Sequence, residues 1–98
     1  MKVSNDPRVD KEIRSLSRID SSRVVKVIEL FRDYGFSLPT LYLKKITKNL
    51  WELRTGRFRL LFGLVKGETI IVSIFLKKTQ KTPKKEIELA LKRIKEYS

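Results

Sequence analysis

The chain has 98 residues, 41% of them hydrophobic, and this composition predicts a single folded domain over residues 1–98 with a modest core. Lysine and arginine number 23 against 11 acidic residues, and the net charge of +12 favours a polyanionic partner: nucleic acid, a membrane surface or an acidic protein. The absence of cysteine excludes disulfides and thiolate zinc sites, and the absence of histidine removes the usual metal ligand and the usual general base.

The sequence shows no sign of membrane targeting. Residues 1–6 are followed by no apolar segment of the signal-peptide type. The longest apolar stretch, Thr69 to Leu76, is far too short to span a bilayer. We therefore expect a cytoplasmic protein that has no membrane partner, no metal and no cofactor.

Two helices are predicted in the first part of the chain. Residues 1–8 are polar and are either frayed or hold the remnant of a strand at Lys2–Ser4. Residues 9–16 carry apolar side chains at helical spacing. A clearer helix follows, and Gly35 is expected to end it in a left-handed C′ conformation. Its predicted cap is one of Asp20, Ser21 and Ser22. Its apolar stripe comprises Val24, Val27, Ile28, Phe31 and Tyr34.

Three antiparallel strands are predicted next, because apolar and polar residues alternate between turn signals. Residues 36–40 are predicted to form a loop, and residues 41–48 either a loop or an irregular strand. The strands and turns that follow are, in order, Trp51–Arg54, Thr55-Gly56, Arg57–Leu64, Lys66-Gly67-Glu68 and Thr69–Leu76.

The C-terminal segment predicts a third helix. Thr82 is expected at its N-cap and Pro83 at its first position. Its apolar stripe comprises Ile87, Ala90, Leu91, Ile94 and Tyr97. The order of helix, helix, three strands and helix predicts an α+β fold, with two N-terminal helices packed on a small antiparallel sheet.

Strand pairing predicts that basic side chains share one sheet face. A turn at Thr55-Gly56 would place Arg54 opposite Arg57, and Glu52 opposite Arg59, with Trp51, Leu53, Phe58 and Leu60 on the apolar face. Residues 41–66 carry seven basic and one acidic side chain, so this face lies in the most basic part of the chain. Such an arrangement suits a bound anion, since like charges facing each other destabilise a sheet.

The second turn sets which residues of the last strand join that face. A three-residue turn would place Arg59 opposite Phe75 and Arg57 opposite Lys77. The core residues of this strand would then be Ile70, Val72, Ile74 and Leu76. A one-residue slip would bury Ile71, Ser73 and Phe75 instead, and we prefer the first register because it places no hydroxyl in the apolar layer. Phe75 is then either a surface on which an RNA base stacks or a residue covered by a loop.

Residues 9–97 resemble the HigB-like branch of the RelE/ParE toxin superfamily. The resemblance is carried by Leu50-Trp51-Glu52-Leu53-Arg54, by the strand that contains Arg59, and by Phe75-Leu76-Lys77-Lys78-Thr79-Gln80-Lys81-Thr82-Pro83 before an amphipathic helix. It implies a small RelE-like α+β domain whose basic, concave sheet face is the active surface. It also implies a ribosome-dependent mRNA endoribonuclease that is neutralised by a cognate helix-turn-helix antitoxin.

The resemblance assigns functional residues. The catalytic set it implies is Arg54, Arg59, Lys77 and Lys78. Further RNA-binding residues are expected at Lys44, Lys45, Arg57 and Lys81, and Glu52 is a candidate orienting carboxylate. The sequence departs from the family at two points: the usual first strand is missing or truncated, and Lys85 stands where a tyrosine is expected, so that Tyr97 is the one C-terminal tyrosine.

The chemistry predicted for this face is RNA cleavage by attack of a 2′-hydroxyl on the adjacent phosphodiester. Arginines would stabilise the crowded, doubly negative transition state. Without histidine, the candidates for acid and base are Glu52 and a lysine among Lys77, Lys78 and Lys81, and Glu52 is expected to be structural instead. Two alternatives are a non-catalytic inhibitor of DNA gyrase and a plain RNA- or ribosome-binding module, which would bind RNA and leave it intact.

Overall fold

The structure is a computed structural model that describes all of residues 1–98. The elements in chain order are β1 (Val3–Asn5), α1 (Pro7–Arg14), α2 (Arg18–Tyr34), a short 3-10 helix (Gly35–Ser37), β2 (Leu43–Thr47), β3 (Leu50–Thr55), β4 (Phe58–Val65), β5 (Glu68–Leu76) and α3 (Lys84–Glu96). The α+β fold class is confirmed. No helix combines the length and the apolar character that crossing a bilayer requires.

The caps of α1 and α2 show why these helices begin where they do. The Asp6 carboxylate accepts the backbone N–H of Arg8 at the start of α1. The Ser17 hydroxyl accepts the N–H of Asp20, so α2 begins at Arg18, and the prediction of a cap at residues 20–22 is wrong. Gly35 ends α2 with φ of 57°, a value that favours a residue without a Cβ, but its ψ of −138° lies outside the predicted left-handed helical region.

The sheet has five strands in the order β1-β5-β4-β3-β2, with β1 parallel to β5 and all other pairs antiparallel. The strand remnant predicted near Lys2–Ser4 is therefore present, shifted by one residue. Residues 43–47, left open between loop and strand, form the edge strand β2.

The predicted register between β3 and β4 is wrong by two residues. The two central residues of the turn are Gly56 and Arg57, so Arg54 faces Arg59 and Thr55 faces Phe58. Gly56 has φ of 52°, the conformation that a two-residue hairpin turn with glycine at its first central position requires. A shift of two keeps every β3 and β4 side chain on its predicted face, but Arg57 leaves the strand for the turn.

The register between β4 and β5 is as predicted only near the C-terminal end of β5. Arg59 faces Phe75, and Leu61 faces Ser73. An irregularity after Leu61 then brings Phe62 opposite Ile71 and leaves Val72 as the extra residue of a β-bulge. The second turn consequently has two central residues rather than the expected three.

The bulge divides the apolar side chains of β5 between the two faces of the sheet. Ile71 and Ile74 lie in the core cluster beneath α1 and α2, whereas Ile70 and Val72 lie in a second cluster beneath α3. The predicted core row of Ile70, Val72, Ile74 and Leu76 is therefore wrong, and Leu76 is 40% exposed. Helices thus cover both faces, although α3 covers only part of the second one.

Candidate nucleic-acid interface

The basic site lies on the α3 side of the sheet, at the end that α3 leaves uncovered. Glu52 is 2% exposed, and its Oε1 accepts a hydrogen bond from Arg54 Nε at 3.0 Å. Arg59 Nε lies 3.9 Å from the same oxygen. One buried carboxylate is therefore hydrogen-bonded to Arg54 and lies within ion-pair distance of Arg59.

Arg59 is held by the backbone as well as by Glu52. Its Nη1 donates to the carbonyl oxygens of Gly56 at 3.0 Å and of Phe58 at 2.8 Å. Burial lowers the pKa of Arg59, the Glu52 charge opposes this shift, and the Arg54 charge adds to it. An arginine nevertheless stays cationic at neutral pH, so Arg59 is a fixed positive charge at the site.

Residues 77–83, which we call the basic loop, border the site on its β5 side. The N–H of Lys77 donates to the carbonyl oxygen of Arg57 at 2.7 Å, where the loop begins. A small pocket of about 10 Å³ lies between this loop and the sheet, with room for about one water molecule. It is lined by Glu52, Arg59, Phe75, Lys77, Thr79, Gln80, Lys81, Thr82 and Pro83.

A larger, open groove adjoins the other side of Arg59. Its volume of about 330 Å³ is at the lower end of the ~300–1,000 Å³ typical of ligand pockets. It is lined by Leu41, Tyr42, Arg54, Thr55, Gly56 and Arg59. Arg59 therefore stands between a tight pocket and an open groove, and Arg54 lines the groove.

Two predicted RNA-binding residues point away from this face. Arg57 lies in the β3–β4 turn, and its Nη2 pairs with Asp20 of α2 at 3.0 Å. Lys45 pairs in register with Trp51 and places its Nζ 5.3 Å from the centre of that ring, on the α2 side. The expectation that Arg57 shares a face with Arg54 and Arg59 is therefore wrong, and Lys45 lies on the opposite side as well.

The other predicted lysines stand around the site. Lys44 faces Glu52 in register and is exposed. Lys77 and Lys81 line the pocket beside Arg59, whereas Lys78 is exposed on the basic loop outside it. Phe75 is half-buried, packs against the cluster beneath α3 and forms one wall of the pocket.

Tyr97 lies far from the site. Its hydroxyl donates to Asp6 Oδ2 at 2.6 Å, which ties the end of α3 to the start of α1. Burial and the Asp6 carboxylate raise the pKa of Tyr97 to about 12. The 13 residues of α3 separate it by roughly 20 Å from the basic loop, at 1.5 Å per residue.

Sequence reasoning missed two residues of the site. Thr82, predicted as the N-cap of α3, instead donates its hydroxyl hydrogen to Glu52 Oε2 at 2.6 Å. Pro83 occupies the N-cap position, and α3 has no side-chain cap. Tyr42 lies in a segment predicted as loop or strand, where no pattern marked it as a neighbour of Arg54, although its carbonyl oxygen accepts the Arg54 N–H at 2.8 Å.

The chain matches one family model over most of its length. Residues 11–95 match the family described as "Phage derived protein Gp49-like". No curated protein matches the sequence significantly.

Three solved structures share the fold at low sequence identity. The archaeal RelE–RelB complex from Pyrococcus horikoshii OT3 aligns at a TM-score of 0.66 and 16% identity, over 78% of this chain and 93% of that one. The RelB–RelE antitoxin–toxin complex from Methanococcus jannaschii aligns at 0.60 and 16%, over 74% and 87%. The isolated E. coli RelE toxin aligns at 0.61 and 16%, over 95% and 97%. These likenesses confirm the RelE-like fold that the resemblance implies.

Proposed function

This chain belongs to the Phage derived protein Gp49-like family, and on that premise we propose that it is the toxin of a toxin–antitoxin pair that cuts mRNA on the ribosome. The observation that carries the proposal is the convergence of Arg54 and Arg59 on the buried Glu52, with Lys77 and Lys81 beside them. The likeness to RelE toxins supports it, since this surface lies on a RelE-like fold.

The proposed reaction is an internal transesterification of RNA. The 2′-oxygen attacks the adjacent phosphorus, a P–O2′ bond forms and the P–O5′ bond breaks. The products are a 2′,3′-cyclic phosphate and a 5′-hydroxyl, so one proton leaves the 2′-hydroxyl and one is delivered to the 5′-oxygen. Arg54 and Arg59 would stabilise the charge that accumulates on the phosphate oxygens between these steps.

Glu52 is a poor candidate for the base in this scheme. Its two oxygens already accept hydrogen bonds from Arg54 and Thr82, and 2% of its surface reaches solvent. The residues that line the pocket next to Arg59 and carry a transferable proton are Lys77 and Lys81. We propose that proton transfer involves these lysines and that Glu52 orients the arginines.

The test compares Arg59→Ala and Lys77→Ala with Arg57→Ala on translating ribosomes. Loss of a charge-stabilising donor should lower the cleavage rate by about 100-fold or more. Arg57→Ala removes the same charge as Arg59→Ala at a side chain that is 67% exposed and faces away, and it should cut mRNA at the wild-type rate. Undiminished cleavage in both Arg59→Ala and Lys77→Ala would contradict the assignment, and gyrase poisoning without cleavage would point to the gyrase-inhibiting alternative.

We also propose that a cognate antitoxin neutralises the chain. Two of the similar structures are complexes of RelE with RelB, and the basic site here favours a partner that is acidic where the two proteins meet. Growth arrest on expression of this chain should be relieved by co-expression of the small gene next to it, expected to encode a helix-turn-helix protein. Growth arrest that no neighbouring gene relieves would count against this partner.

A further inference from the structure

The basic loop has no regular secondary structure, yet it is attached to the sheet at both ends. Near its start, the Lys77 N–H donates to the Arg57 carbonyl oxygen, which continues the β4–β5 pairing by one bond. Near its end, the Thr82 hydroxyl donates to Glu52 Oε2 at 2.6 Å. Between these two attachments, Thr79 Oγ1 donates to the carbonyl oxygen of Lys81 at 2.8 Å within the loop itself.

The second attachment ends on the carboxylate that orients the arginines. Glu52 Oε1 accepts Arg54 Nε and faces Arg59 Nε, while Oε2 accepts the Thr82 hydroxyl. A buried carboxylate is tolerated only when its oxygens are satisfied, so all of these donors are held in place together. One side chain thus joins β3, β4 and the basic loop.

We propose that Thr82 is a positioning residue for RNA cleavage. Its hydroxyl bond to Glu52 fixes Lys77 and Lys81 relative to Arg59, so that the lysines and arginines reach one phosphodiester together. The pocket between loop and sheet has a volume of only about 10 Å³, so the loop lies close against Glu52 and Arg59. The effect on cleavage rests on the proposed function, whereas the attachment of the loop to Glu52 does not.

The local sequence supports this role over a helix cap. Thr82 precedes a proline, and α3 starts at Lys84 with no side-chain hydrogen bond at its N-cap. The hydroxyl that could have capped α3 is directed at a residue 30 positions earlier in the chain. The Thr82 side chain bonds a buried carboxylate and does not cap α3. It therefore sets the position of the loop rather than the start of the helix.

The test uses Thr82→Val, which keeps the shape of threonine and removes the hydroxyl. Its matched control is Thr47→Val, which removes an exposed hydroxyl of β2 that lines neither the pocket nor the groove. Thr82→Ser restores a donor. Cleavage by Thr82→Val should show a kcat lower by about 10–100-fold with KM within about threefold, because misplaced groups slow chemistry more than binding.

The control variant and Thr82→Ser decide whether the lower kcat of Thr82→Val comes from losing the hydroxyl bond that positions the loop. Thr47→Val and Thr82→Ser should stay within about threefold of the wild-type kcat, a difference of about 0.6 kcal/mol or less. The proposal is overturned by Thr82→Val with a wild-type kcat, by Thr82→Ser as slow as Thr82→Val, or by an equal loss in Thr47→Val.

A second measurement tests the attachment without any RNA. Backbone N–H order parameters for residues 78–82 should be near the rigid value of about 0.85 in the wild type and should fall below about 0.6 in Thr82→Val. They should remain at the wild-type value in Thr82→Ser. If the wild-type chain cuts no RNA, the proposed function fails, and unchanged order parameters in Thr82→Val would separately overturn the attachment.

Discussion

Glu52 shows how one residue can determine the geometry of a site. A carboxylate on a half-covered sheet face would ordinarily point to water, but this one is 2% exposed and accepts from Arg54 and Thr82. Hydrogen bonds to a charged group are worth about 1.5–3 kcal/mol each, and leaving such partners unpaired costs a similar amount. The residue therefore contributes to stability and to the position of the arginines at once.

Glu52→Gln should lower the free energy of unfolding by about 2–4 kcal/mol, because the amide removes the negative charge and presents a donor to other donors. Urea denaturation measures this. Glu88→Gln is the matched control, since Glu88 is 66% exposed and meets Lys84 at 3.9 Å on the surface of α3. A change of less than about 0.5 kcal/mol is expected there, and equal losses in the two variants would contradict the role given to Glu52.

Asp6 is a second buried carboxylate, 1% exposed and remote from the site. Hydrogen bonds from the Arg8 side chain hold the pKa of Asp6 well below its ordinary value of 3.8, and the Tyr97 hydroxyl acts in the same direction. Because the folded value is depressed, the stability from Asp6 is present above its ordinary pKa and is lost as pH falls towards the folded one. The pKa of Tyr97 is raised instead, so the stability that Tyr97 contributes is present at lower pH and is lost as pH rises through about 12.

The wild-type free energy of unfolding should therefore fall between about pH 5 and pH 2, more steeply than that of Asp6→Asn. Denaturant titrations at several pH values measure the two slopes. Asp33→Asn, which removes an exposed carboxylate outside this cluster, should keep the wild-type slope. Parallel slopes for the wild type and Asp6→Asn would show that Asp6 is not the titrating group.

At the scale of the elements, a close contact between Ile94 of α3 and Gly63 of β4 sets the distance between the helix and the sheet. A Cβ built on Gly63 would lie 2.5 Å from Ile94 Cδ1 and 2.9 Å from the Asn49 carbonyl oxygen. Only glycine lets the helix approach the strand this closely. The side chain of Arg93 adds a polar contact, since its Nη1 donates to the carbonyl oxygen of Val72, the bulge residue, at 2.8 Å.

Gly63→Ala should destabilise the fold by about 1–3 kcal/mol through overpacking. Ile94→Ala removes the nearest atoms, so the double variant should be less destabilised than the sum of the two single variants by about 1 kcal/mol. Thermal or urea unfolding of the three variants measures the coupling. Strict additivity would show that Ile94 does not limit the approach of α3.

At the scale of the whole molecule, the net charge of +12 predicts affinity for RNA that weakens with salt. Four cations at the site, Arg54, Arg59, Lys77 and Lys81, would give a slope of log K against log salt of about −3, at roughly −0.7 per phosphate contact with a single strand. Arg54→Ala should make this slope shallower by about 0.7, and Arg57→Ala should leave it unchanged. Fluorescence anisotropy with a short, uncleavable RNA measures both, and an equal reduction in the two variants would mean that the whole surface binds rather than this face.

Most of the fold and part of the site could be predicted from local patterns. Alternating residues in β3 and β4 identified the face of Glu52, Arg54 and Arg59, because side-chain alternation depends on the strand alone. The predicted position of Arg57 was wrong because the strand register depends on which residues occupy the turn. Gly56, with its positive φ, is the first central residue of the turn, and the β3–β4 register differs by two residues from the predicted one. No local sequence pattern predicted the bulge at Val72. The carbonyl oxygen of Val72 accepts a hydrogen bond from Arg93, which lies in α3 and is distant in the chain.

The sequence by itself determined the charge, the absence of cysteine and histidine, the order of the three helices and of β3, β4 and β5, and the faces of β3 and β4. These properties follow from composition and from periodicities of two and 3.6 residues, which need no distant contact. The tertiary structure alone decided that Thr82 meets Glu52, that Tyr97 meets Asp6, and that α3 leaves one end of the sheet uncovered. Each of these joins residues far apart in the chain, and such pairings depend on how whole elements pack.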